Sequence, residues 1–539
     1  MMASATFGLT SCDEFLEEKP LDQKSSSQFW QSKEDAQTGV DALYFGGVPY
    51  LNQNGGGWQP KATMYGGIIS GLFYDDHGDS QLAEAAKACT YTLEKFSSPA
   101  MSLWHEFYKG ISRANFVLAN VPKMTDVLDQ ATIDNYVAEG KFFRAYAYFY
   151  LVKEFGDVPY VDEPYTSTDG MFKERNSAAE VYQHIIDDLT DIATGTALPN
   201  KSFYDNGCRV TRAMAQTLLA QVYLQRAGFP MNGGAEDYKK AAQMAEMVID
   251  GGTAVLEQAN GSSDDLNSAY NVIKTSKTSK EIIFAKEYDY ANNNIGNGYV
   301  NLCIGSDATT WKDANGNQVF SMNVLHKAYH PCDMIFKSYA PEDIRSHEKQ
   351  FFFNTYTDKT GVEHTLNYTG IWSWFDEDAI IKNHGGDYNI PTMRYAEVLL
   401  LYAEACAQTG DNSGLTYLNM VAERAGAPTY STLTMENVKK EKRFEMFMEG
   451  TRFADLVRWG DAATVLKDQG KEVPSFVDPF DPEKGIPHQA VVDYSTAYYN
   501  TTYGFQAGKN ELMPYPLGEL QLNAYNEETG EGIKQNPGW

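Results

Sequence analysis

Apolar positions recur at helical spacing in successive blocks along this chain. From Ser102 to Val121, and again from Ile133 to Phe155, they return every three or four residues. In the second block Ala138, Phe142, Ala145, Phe149 and Val152 make one unbroken buried stripe. Ala178–Ala193 and Thr211–Ala227 follow, the latter repeating the spacing at Ala213, Thr217, Ala220, Leu224 and Ala227. Asp237–Asp250 is a shorter helix, and after a long gap the period resumes at Thr392–Thr409, Gly414–Ala425 and Met435–Trp459. Residues 251–391 lack it: they are rich in Asn, Gly, Tyr and Thr, with turn signals at Asn315-Gly316 and Lys359-Thr360-Gly361. Glu281–Ala285 and Gln350–Phe353 read there as short strands. Val473–His488 carries four prolines and reads as a loop with largely preset φ angles.

Small residues alternating with aromatics on paired helices let the helices approach closely while rings fill the adjoining gap. That pattern predicts a mainly α fold of degenerate tetratricopeptide-type repeats. About four helix pairs stack in one right-handed solenoid and one globular unit, with long irregular loops and a few short strands. A rigid helical frame overlaid by long loops places binding in the loops. The segment Arg443–Trp459 (RFEMFMEGTRFADLVRW) is the most distinctive part of the frame. Glu445 and Glu449, four apart, have the spacing of an acid–base pair. Arg443, Arg452 and Arg458 lie within helical reach, which predicts ionised structural carboxylates instead.

Charge narrows the partners. Lys and Arg number 44 against 72 Asp and Glu, a net charge of −28, and such a field repels nucleic acid and anionic lipid surfaces. A neutral ligand is expected, and 35 tyrosines offer stacking faces. The six cysteines form no Cys-x-x-Cys and no zinc-spaced cluster, and Cys406 falls on an apolar helix face. His326 and His330 are four apart without an evident third ligand. The oxygen-rich run Asp313–Asn317 lacks the downstream glutamate of a calcium loop, so no metal or other cofactor is expected. No run of eighteen apolar residues is present. Leu9-Thr10-Ser11-Cys12 resembles a lipobox, followed by Asp13-Glu14 and Glu17-Glu18 in the manner of a surface-export signal of Bacteroidota lipoproteins, although no basic residue precedes Lys19. Lipidation at Cys12 is the expectation.

Ala138–Ala145 runs into Phe155-Gly156-Asp157-Val158-Pro159-Tyr160, and Met393–Glu397 is followed by Tyr402–Ala405. With Phe29–Asp35, Leu512–Pro516 and the terminal Gln535-Asn536-Pro537-Gly538-Trp539, these stretches resemble the SusD/RagB-like family of outer-membrane nutrient-binding lipoproteins. The resemblance implies residues 1–12 as signal remnant and lipobox and 13–539 as one domain. Within it lie helix pairs at 102–250 and 392–460, a ligand-binding insertion at 251–391 and a C-terminal loop region at 461–539. It also implies a lipid-anchored, surface-exposed outer-membrane protein that holds an oligosaccharide over a SusC-like TonB-dependent transporter and is no enzyme. An oligopeptide-binding lid and an all-helical glycoside hydrolase are the alternatives.

Sugar rings need flat aromatic faces, and their hydroxyls need Asp, Asn or Arg. In this family the ligand surface comes from loops in the first hundred residues and from the long insertion. Trp311, just before the probable hairpin tip Asp313–Asn317, is the leading candidate. Trp372 and Trp374 would face the same way on a strand and form a stacking platform, with a buried strand as the competing reading. Tyr290 beside Asn292-Asn293-Asn294, and Tyr74 beside Asp75 and Asp76, complete the set. Trp30, Trp104 and Trp459 are read as packing.

Overall fold

The computed structural model describes residues 29–44, 70, 73–74, 91, 98–165, 167, 171–293, 295–296, 330–331, 335, 338–357, 360–382, 385–469, 472–475, 490–493, 504–523, 528–529 and 532–539. The frame is helical: α1 Lys33–Asp41, α2 Ser98–Asn120, α3 Gln130–Phe155, α4 Ala178–Thr194, α5 Arg212–Ala227, α6 Ala235–Gly251, α7 Tyr395–Thr409, α8 Gly414–Arg424, α9 Met435–Glu445 and α10 Arg452–Arg458. Each of α2 to α7 packs on the next of these helices in the chain, and α7 also packs on α9, which is the succession expected of stacked helix pairs. No described helix is long and apolar enough to cross a membrane.

Local chemistry sets the boundaries. Asp129 caps α3 by accepting from the Thr132 amide, and Gly156 ends it at φ +76°, a conformation open to glycine. Ser177 and Thr211 cap α4 and α5 in the same way. Both predicted stripes, Ala138 to Val152 and Ala213 to Ala227, are buried throughout. The role of the small residues is visible at Gly140, where an added Cβ would lie 3.1–3.2 Å from Leu118 and Val117 of α2. Sandwiched by α2 and α4, α3 is apolar nearly all round, as a doubly covered helix must be. Its deeply buried carboxylate, Glu139, is held by Arg209 at 2.8 Å and by the Tyr44 hydroxyl.

The strands form two-stranded antiparallel sheets. Ile282–Lys286 (β1) pairs with Ile390–Arg394 (β4), and Phe352–Thr357 (β2) pairs with Glu363–Ile371 (β3). Both strands expected in the insertion are present, the first shifted by one residue and the second starting two and ending four residues later. The proline-rich segment departs from its reading as a pure loop: Glu472–Ser475 pairs with Ala490–Asp493, with Pro474 opposite Val491. A two-stranded ribbon consists only of edges, where a missing amide is tolerated. At the chain end, Asn536 donates to the Phe155 and Met513 carbonyls and Trp539 Nε1 donates to those of Lys509 and Leu512. The terminal motif is thereby pinned to the turn that ends α3.

One expectation is corrected at Arg443–Trp459. The segment is two helices, α9 and α10, separated at residues 446–451, where Met448 takes φ +67° and Gly450 φ +76°. The partners of its glutamates also come from elsewhere in the chain. Glu445 binds Arg345 at 3.0 Å, Arg394 at 2.6 Å and Arg424, while Glu449 binds Arg394. Asp343, Glu441 and Glu281 complete this sealed network. Burial alone would push the Glu445 carboxyl up, yet Arg424, Arg394 and Arg345 hold it down at about 2. Glu449 differs from expectation, since burial outweighs Arg394 and raises it. Asp455 and Arg458 do pair at helical spacing within the segment, and Arg458 also grips Glu404, which accepts from Trp459 Nε1 at 2.6 Å.

Candidate functional site

The insertion builds an arch beside the helical frame. Leaving β1, the chain turns at Asp289, whose amide and carbonyl both pair with Ile295. The Asp289 carboxylate accepts from the Asn292 and Asn293 side-chain amides at 2.9 and 2.6 Å, which fixes the short helix Tyr290–Asn293. A second loop, Gly385–Asn389, crosses the arch and braces it. Asp387 accepts from the Tyr290 amide at 2.9 Å and from Lys277 Nζ at 3.3 Å, and Lys277 also donates to the Tyr288 carbonyl at 2.7 Å. Asn389 accepts from the Tyr288 amide at 2.9 Å and donates to the Tyr204 hydroxyl at 3.1 Å. The crossing requires glycine: a Cβ on Gly296 would lie 2.5 Å from the Gly385 backbone and 3.0 Å from the Tyr290 ring.

From Asp387 the chain of contacts reaches the tryptophans, because its amide donates to Asp376 at 3.1 Å, directly after the Trp372–Phe375 turn. The expectation that Trp372 and Trp374 share a strand face is overturned. They occupy a 3₁₀ turn following β3, where residues two apart diverge around the axis. Trp372 is only 7% exposed, so its ring is no open platform. Its indole donates to Asn271 at 2.7 Å, it packs against Phe353 and Phe375, and Lys274 Nζ covers it at 3.6 Å. Trp372 is buried, as the competing reading had it, but in a turn and not on a strand, and Ile371 and Phe375 enter the core with it. The Trp374 side chain lies outside the described residues.

Tyr74 belongs, by its backbone, to the two-residue strand Phe73–Tyr74, which pairs with His330–Pro331, and the latter lies along β3. Its side chain is outside the described residues, as are Asp75, Asp76, Trp311, Cys12 and His326. Backbone contacts thus link the Tyr74 segment through His330–Pro331 to β3, which runs into the Trp372–Trp374 turn, and Asp376 and Asp387 link that turn to the Tyr290 arch. Tyr290 is half-buried, while Asn292 and Asn293 are exposed and Ile295 is 49% exposed. Such an edge offers an aromatic face beside amides that both donate and accept.

Sequence reasoning missed Lys277, Asp387 and Asn389, which hold the arch. Their signal is slight: Gly385-Gly386 precedes an Asp-Tyr-Asn triplet just ahead of Pro391. Between the two, Tyr388 has its phenol pushed up to about 12, first by burial and then by Asp376, Asp378, Glu377 and Asp387. This acidic rim suits an uncharged ligand better than an anionic one. The remaining tryptophans pack as expected: Trp104 is buried, Trp459 is held by Glu404, and Trp30 covers Gly39, where a Cβ would meet its ring at 2.2 Å. Cys406 is a free, buried thiol pushed up by burial.

Two family models match the chain. Residues 280–539 fit the SusD family, and residues 14–224 fit a model described as starch-binding, associating with outer membrane. The chain belongs to the SusD/RagB family. A SusD-like protein of Bacteroides ovatus is 25% identical over 389 residues, covering 69% of this chain and 67% of the relative. A SusD superfamily protein from Parabacteroides distasonis has a solved structure that superposes with a TM-score of 0.73 at 23% identity, covering 96% of this chain and 100% of the other. Surface glycan-binding protein A from Bacteroides thetaiotaomicron, solved in complex with laminarihexaose, superposes at 0.70 with 20% identity, covering 94% and 100%. These likenesses establish the SusD-like fold over nearly the whole chain.

Proposed function

We propose that this SusD-like protein binds a neutral oligosaccharide at the outer-membrane surface without cleaving it. It then passes the glycan to a SusC-like TonB-dependent transporter, held to the membrane by a lipid on Cys12. The carrying observation is the near full-length fold likeness to SusD-like proteins, one of them solved with laminarihexaose, beside the match of residues 14–224 to a model described as starch-binding. The surface near the Tyr74 segment, the Trp372–Trp374 turn and the Tyr290 arch is the proposed contact region, with Trp311, Trp374, Tyr74 and Tyr290 proposed to supply ring faces and Asp75, Asp76 and Asn292 to bind hydroxyls. Within the Glu445/Glu449 pair, three arginines keep Glu445 ionised, so it offers no proton to a leaving group.

Isothermal titration against a panel of neutral glycans tests the reading. Binding to one glycan class is expected, lost in Trp311→Ala and weakened at least tenfold in Tyr290→Ala, with no reducing sugar released by the pure protein. Release of sugar would replace the binder with a hydrolase. Recovery of oligopeptides alone, by mass spectrometry of the native complex, would replace the cargo.

A further inference from the structure

α3 and α5 meet α7, α9 and α10 around a cavity of about 90 Å³. Its wall carries one anomaly. Glu397 on α7 is 2% exposed; its Oε1 accepts from Gln221 of α5 at 2.8 Å, and its Oε2 has no hydrogen-bond partner among the described residues. Thr451, in the turn before α10, likewise lines the cavity with a buried hydroxyl lacking a partner among them.

Most of the charged groups around Glu397 are engaged elsewhere, while Lys442 and Lys153 also attract it electrostatically. On α9 and α10, Lys442 and Arg458 bind Asp455 at 2.9 and 2.7 Å, and Arg458 also binds Glu404. In the turn, Glu449 belongs to Arg394. From α3, Lys153 stands over the Tyr150 ring at 3.9 Å, and the phenols of Tyr146 and Tyr150 also face the site. A buried carboxylate oxygen without a hydrogen-bond donor calls for either solvent or a proton. At about 30 Å³ per water the cavity has room for about three waters, and its lining is polar enough to hold them.

We propose that this cavity is a hydrated proton-binding site, in which water bridges Glu397 to Thr451 and a proton taken up at Glu397 tightens the junction between the two helical halves. Burial raises the Glu397 carboxyl to about 7, opposed by Lys442 and Gln221 and reinforced by Glu449 and Asp455. A folded-state value above the ordinary 4.5 means that the native protein holds the proton more tightly than the unfolded chain. The stabilisation is fully present below pH 4.5, declines as pH rises, and is gone above about 7.

The test compares thermal midpoints of the full chain, wild type and Glu397→Gln, between pH 4 and pH 8. The amide mimics the protonated acid. The two proteins should melt together at pH 4. At pH 8 the variant should melt higher, its unfolding constant smaller by roughly two orders of magnitude. An offset that is the same at both pH values would overturn the proposal. Thr451→Val probes the bridge separately: it should lower the midpoint more at pH 8, where Glu397 is ionised, than at pH 4. Equal lowering at both would remove the water bridge.

Discussion

Glu445→Gln probes the electrostatic knot that joins α8, α9, β1 and β4. The substitution keeps shape and removes one charge, leaving Arg345, Arg394 and Arg424 buried with one anion fewer. In the folded protein the carboxyl sits at about 2, against an ordinary 4.5. At about 1.4 kcal/mol per pH unit the ionised form contributes about 3 kcal/mol, and breaking a buried pair costs a comparable ~3–5 kcal/mol. The depressed value makes the contribution complete above pH 4.5, with loss as pH falls toward 2. With an unfolding entropy of ~2 cal/mol/K per residue, 1 kcal/mol corresponds to about 1 °C in a chain of this length. Calorimetry of wild type and variant should therefore show a midpoint lowered by about 3 °C at pH 7, with the gap narrowing at pH 3.5. An unchanged midpoint at pH 7, or a gap just as wide at low pH, would refute the assignment of that stability to the ionised carboxylate.

Other consequences follow from packing. Trp372→Ala should destabilise by about 3–5 kcal/mol, because it empties an aromatic site and removes the indole donor to Asn271; a midpoint indistinguishable from wild type by calorimetry would restore Trp372 as an exposed platform. Gly228→Ala should cost about 1–3 kcal/mol, since the new Cβ would stand 2.4 Å from the Arg458 carbonyl, which already accepts from the Phe229 amide. Urea unfolding would read that loss, and full stability would show that the α5–α10 contact is looser than described.

The long helices of the frame were legible from the chain alone, whereas α1 and the short helices Ala269–Thr275 and Glu377–Lys382 were not. Period and caps are local properties, and the stripes on α3 and α5 state which face must be buried whatever it packs against. The family motifs were legible too, and the structure shows what several of them do physically, since the terminal Asn536 and Trp539 close over the end of α3. Tertiary structure alone decided the rest. It broke Arg443–Trp459 at Met448, so that Glu445 and Glu449 turn toward arginines drawn from distant segments of the chain. It also folded Trp372 inward over Asn271, and chose Asp387 to brace Tyr290. These outcomes depend on which charges and rings meet across long stretches of chain. A pattern read over neighbouring residues carries the periodicity of burial, but not the identity of the partner on the other side.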